Sequence, residues 1–114
     1  MPTSDYTNTK LANPATLTTS PVVYYTVPAN SRTILTAMTV VNYATGSVSM
    51  SLHLVPSGGS ADNTNVLLPN VAISANSLAN FNLGQILLVG DSISAYASVS
   101  NSITIHMSGI QIVP

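Results

Sequence analysis

The sequence predicts an all-β fold: an antiparallel two-sheet β-sandwich or jelly roll of about 7–8 strands, with an extended N-terminal arm. Three observations carry this. Residues 47–54 (SVSMSLHL) alternate strictly, with Val48, Met50, Leu52 and Leu54 on one face and Ser47, Ser49, Ser51 and His53 on the other. Turn residues recur roughly every 8–12 positions, the spacing of sandwich strands. No stretch of ten residues carries apolar side chains at helical spacing.

The elements follow in order. Residues 1–20 hold Thr, Asn and Pro with few apolar side chains and no sustained period, and are expected to form an extended arm, either laid over a neighbouring subunit or a frayed end. The sandwich domain is then 21–114. Val22–Val27 is a strand, ended by Pro28-Ala29-Asn30. Ser31–Tyr43 is apolar on both faces, as a central strand covered on both sides would be. Thr45-Gly46 turns the chain into the alternating segment, which Pro56 ends, and Ser57–Asn65 is a loop by composition. Val66–Leu68 meets Pro69, which cannot donate to a ladder, so this is an edge strand or two short pieces continuing through Val71 and Ile73. Ala75-Asn76 turns into Ser77–Leu83, Gly84-Gln85 is expected to turn into Ile86–Val89, and Gly90-Asp91 turns again. Ser92–Ser100 and Ser102–Val113 complete the set, with Asn101 between them. The apolar phase slips at Ser108-Gly109, where a β-bulge is expected.

Composition bounds the function. A chain of 114 residues is one domain. It has no cysteine, so disulfides and thiolate metal sites are excluded. Its two basic residues, Lys10 and Arg32, cannot track a phosphate backbone, which argues against nucleic acid. The acids are Asp5, Asp62 and Asp91, too scattered for a catalytic carboxylate pair. Ser, Thr and Asn total 40 residues, so neutral groups replace the usual surface charge. Such a surface has little colloidal repulsion and suits a protein that works assembled. No signal peptide or membrane span is expected, because the apolar runs are far shorter than the roughly 20 residues a membrane helix needs.

The chemistry-bearing residues are few. His53 and His106 are the only imidazoles, each expected at the surface on a polar strand face. A metal held by these two would lack further good ligands, so no metal and no cofactor is expected. Asp62, Asn63 and Asn65 fail the calcium-loop pattern, and no G-x-S-x-G elbow is present. The chain is therefore expected not to be an enzyme. Tyrosine is enriched where subunits meet, and aromatic rings on a sandwich also stack on sugars. The candidate partner-interface residues are Tyr6, Leu11, Tyr24, Tyr25, Tyr43 and Tyr96. Tyr24 and Tyr25 have opposite parity, so one of them faces inward.

The segments YTVPANSRTIL, VVNYATGSVSMSLHLVPSGGSADNTNVL, LVGDSISAYAS and ITIHMSGI lie within Tyr25–Ile110, about three quarters of the chain. Their order resembles that of small β-sandwich virion structural proteins of tailed bacteriophages. The resemblance implies capsid decoration (cement) or a tail-associated place. It further implies a homo-oligomer, commonly a trimer, bound to the major capsid protein or another virion protein. The implied location is the virion, assembled in the host cytoplasm. The alternatives are a tail, baseplate or receptor-binding component and, from another class, a carbohydrate-binding module.

Overall fold

The computed structural model of the chain describes residues 5–11 and 15–113. Among these there are nine strands: β1 (Asp5–Lys10), β2 (Ala15–Thr16), β3 (Val22–Thr26), β4 (Arg32–Asn42), β5 (Val48–Val55), β6 (Val66–Ile73), β7 (Ser77–Leu87), β8 (Ser92–Ala97) and β9 (Ile103–Val113). One sheet has the order β1-β9-β4-β7, with β2 also on β9, and the other has β3-β8-β5-β6. Every described pairing is antiparallel. β1 and β2 follow one another along β9 and act as one strand. Counting β1 and β2 as that one strand, only β5 and β6 among the successive strands share a sheet; the others cross between layers, as in a jelly roll.

The predicted alternation explains the core. Val48, Met50 and Leu52 point between the layers, where they meet Met38, Val40, Ile93, Ile103 and Ile105, all almost fully buried. The turns fall where short polar residues tolerate a left-handed backbone: Asn30, Asn76 and Asn101 have φ of 58°, 50° and 59°, and Gly90 has 84°. β6 is an edge strand, and its register shifts in the stretch that contains Pro69.

Four expectations change. The arm of residues 1–20 holds strands within this chain's own sheet: β1 runs along β9, and Leu17 is fully buried in the core. Leu11, proposed for a partner interface, is also core, because its N–H bonds the Met107 carbonyl at 3.1 Å and its side chain faces inward. Gly84-Gln85 is no turn; the two short strands expected there are the single strand β7. The register slip opposite Ser108-Gly109 is real, but its extra residue is Thr36 of β4, while β9 pairs with β1 without interruption. Ile110 and Ile112 thus keep the alternation of β9, with Ile110 half-buried beside Ile34 and Ile112 buried.

Gly109 has a packing reason of its own. A Cβ there would run into the Ile34 carbonyl oxygen and stand 3.1 Å from Leu11 Cδ1. β9 is held between β1 and β4, so neither side yields easily. Gly109→Ala is expected to cost about 1–3 kcal/mol and to lower the melting temperature by roughly 5–15 °C. A thermal melt checks this against Gly84→Ala, whose Cβ meets nothing within 4 Å and should leave the melt nearly unchanged.

Candidate interaction surface

The six interface candidates do not form one patch. Tyr6 stands opposite Ile112 in the β1–β9 register, and Leu11 is in the core. Tyr25 turns inward: its hydroxyl is 2.7 Å from Thr33 Oγ1 and receives a bond from Gln111 Nε2 at 3.5 Å. It thereby joins β3 of one sheet to β4 and β9 of the other. Tyr24 is half-buried and donates to the Thr16 carbonyl at 3.4 Å, and burial pushes its hydroxyl pKa up. Tyr96 lies on the outer face of the second sheet, stacked on His53 with ring centroids 5.9 Å apart. Among the candidates whose side chains are described, only Tyr43 is half exposed, just past the end of β4.

His53 departs from the surface position expected of it. It is 4% exposed, because the loop of residues 57–65 folds over its strand. Nδ1 is 3.0 Å from the Asp62 carbonyl oxygen and 2.9 Å from Asn65 Oδ1. The Asn65 amide is oriented by its own bonds, Nδ2 donating to the Ser60 carbonyl and Oδ1 accepting from Asp62 N. Both neighbours of Nδ1 are therefore acceptors, so the network assigns the proton to Nδ1. His53 fastens the loop. His106 lies in the other sheet, exposed and opposite Thr39, so the two imidazoles do not share a site. Among the described residues, no three His, Asp or Glu side chains converge.

The two acids whose side chains are described do structural work. Asp91 accepts bonds from Ser57 N at 3.0 Å and Leu88 N at 2.9 Å, tying two turns together. Asp62 Oδ1 accepts from the Thr64 hydroxyl and from Thr64 N, and Asn65 Oδ1 is engaged by His53 and Asp62 N, so two of the oxygens considered for calcium are held within the loop. The Thr64 hydroxyl, then the Thr64 N–H, and more weakly His53, hold the Asp62 carboxyl below the usual carboxylate range. A depressed native pKa favours the folded loop above the ordinary value of about 3.9, and that contribution is lost as pH falls through the depressed value. An NMR titration of the Asp62 carboxyl should show the low midpoint, and Thr64→Val should move it back towards the ordinary value.

What the sequence reading missed is the outer face of the first sheet. Ile110, Ile34 and Ile86 stand side by side in register. Ile86 is 67% exposed, and Leu88 and Val89 beyond it are half exposed. Near the other end of β7, Leu78 is 59% exposed beside Val41. The surface is apolar and hydroxyl-rich, and Arg32 and His106 are the basic side chains described on this face. It can exclude water against another protein, with little charge to desolvate.

No protein-family model matches the sequence, and a search of curated proteins finds no match. Solved structures do match. One is a chain from the Bacillus endospore appendages described as a family of disulfide-linked pili, with TM-score 0.60 and 11% identity over 98% of this chain and 91% of that one. The fold is shared with chains of a pilus and of a virus. The virus is infectious bursal disease virus: a chain of its Gx strain matches at TM-score 0.57 and 9% identity, covering 98% of this chain and 33% of that one. A chain of the T13 viral particle of the same virus matches at 0.59 and 6% identity, over 96% and 31%. This protein spans about a third of those virus chains and nearly all of the pilus chain.

Proposed function

We propose that this chain is a virion structural protein of a tailed bacteriophage, a capsid decoration (cement) protein that stabilises the head by binding the major capsid protein. The observation that supports it most is the fold match along 98% of the chain to chains from assembled particles, a virus and a pilus. The motif order of small phage virion proteins narrows that to a phage. A chain with only 4% charged residues packs on a crowded shell with little mutual repulsion.

The mechanism is additive. Each subunit makes a modest contact, and an oligomer, a trimer by the resemblance, engages neighbouring capsid proteins at once. Linking contacts in this way multiplies affinity without any new chemistry. Residues 5–11 and 15–17 are taken up by the chain's own sheet, so contact with the shell falls to the exposed outer face and turns.

Copy number per purified particle, read by quantitative mass spectrometry, separates the readings. Hundreds of copies, together with saturable binding to shells of the major capsid protein from the same genome, are expected for cement. A few copies per particle, with no binding to shells, would overturn cement in favour of a tail or baseplate component. That second reading is favoured by the match to a pilus chain, a filament rather than a shell. The carbohydrate reading fares worse, because the described tyrosines form no common platform; glycan binding lost in Tyr43→Ala would revive it.

A further inference from the structure

We infer that β7 is an interface between two copies of this chain, pairing antiparallel with itself across a two-fold axis at Asn82. This does not rest on the virion reading.

β7 ends its sheet, so one side of an 11-residue strand presents backbone N–H and C=O groups without a strand partner. Proteins usually blunt such an edge with proline, lysine or a covering segment. The segment SLANFNLGQIL has no proline and no charge. β7 itself has one register shift against β4, between Asn82 and Gln85, but the edges of the second sheet are blunted in other ways: β6 carries Pro69 and two register shifts, and β3 has only five residues and a shift. With a net charge of −1, two copies meet without appreciable repulsion.

The side chains select both the partner and the register. Leu78, Asn80, Asn82, Gly84 and Ile86 alternate on the outer face, and Phe81 and Leu83 face inward, half-buried. A two-fold axis through Asn82 sets Leu78 opposite Ile86 of the partner subunit, at both ends of the joint strand pair. It also sets Phe81 opposite the partner's Leu83. The most exposed apolar side chains of β7, Leu78 at 59% and Ile86 at 67%, then cover each other. Centring the axis one residue earlier puts Leu78 against glycine and leaves Ile86 beyond the strand; register follows the apolar pattern. A patch that complements itself in this way is what an isologous contact requires. The chain has no cysteine, so unlike a disulfide-linked pilus its copies must hold together by contacts of this kind.

The test is native mass by light scattering across a hundredfold dilution. Wild type should have twice the mass of L78K/I86K, whatever oligomer the remaining surfaces form. L78K/I86E removes the same apolar groups but sets a lysine opposite a glutamate at both ends, and should restore the doubled mass. In this cysteine-free chain, Asn82→Cys should give a covalent dimer on mild oxidation, and Val99→Cys, at a distant turn, should not. Equal masses for wild type and L78K/I86K would overturn the proposal, as would L78K/I86E behaving like L78K/I86K. Should the lysine variants fail to fold, the Asn82→Cys cross-link decides alone. Loss of shell binding with the doubling intact would count only against the cement reading.

Discussion

Deleting residues 1–20 is expected to leave a chain that does not fold, and Leu17→Ala alone should cost about 3 kcal/mol. Within that segment, β1 and β2 together form the first strand of the jelly roll. β1 and β2 cover one side of β9, Leu11 N bonds the Met107 carbonyl at 3.1 Å, and Leu17 N bonds the Ile103 carbonyl at 2.8 Å. Beyond β2 the chain reaches the other layer, where Ala97 N donates to the Thr18 carbonyl at 2.8 Å. Removing all this opens the flank of a strand whose Ile103, Ile105 and Met107 are almost fully buried. Truncating a fully buried leucine loses the transfer energy of its methyl groups and leaves a cavity, typically 2–5 kcal/mol in all. For a domain of this size that lowers the melting point by more than about 10 °C. Circular dichroism and a thermal melt of both variants decide it. A segment that served only as an arm would behave differently: the truncated chain would melt like wild type and lose only its binding.

That contrast shows what the sequence could and could not reveal. A strand buried on one face leaves a period of two, and residues 48–54 showed it plainly. A backbone forced into the left-handed region leaves asparagine or glycine, so the turns at Asn30, Asn76, Gly90 and Asn101 were legible. β1 reads DYTNTK, which shows no apolar alternation, and the buried anchors that follow it, Leu11 and Leu17, are too far apart to make a period. His53 and Ser51 are polar by the strand pattern yet buried: a polar loop closes over His53, and Ser51 is bonded to Asn70 of the neighbouring β6. Periodicity reports which face of a strand is wet only when no loop covers it. The self-complementary edge was invisible for another reason. Leu78 and Ile86 look like ordinary strand residues until the topology makes β7 the last strand of its sheet.

Asn42→Asp should be the most damaging isosteric change in the protein, costing about 4 kcal/mol at neutral pH. Asn42 is fully buried and uses its whole amide. Nδ2 donates to the carbonyls of Gly46 and Ile73, each at 2.9 Å, and Oδ1 accepts from Ala44 N at 3.0 Å. A carboxylate oxygen in place of Nδ2 would face two carbonyl oxygens and bury a charge with no cation near. The variant's carboxyl pKa would be raised in the folded state, so its deficit should shrink as pH falls and the acid becomes a donor. Asn42→Leu leaves the same partners unsatisfied but buries no charge, so its loss should be smaller and independent of pH. Urea unfolding at pH 7 and pH 4 separates the two. The position matters beyond stability. Asn42 ties β4 to the end of β6 in the opposite layer, Asn76 N bonds the Ala44 carbonyl at 3.1 Å, and β7 starts with Ser77 paired to Asn42 itself. One amide thus sets where the free edge begins. Loosening it should blur the register in which Leu78 meets the partner's Ile86, so Asn42→Leu should also weaken dimerisation under conditions where the monomer is still folded.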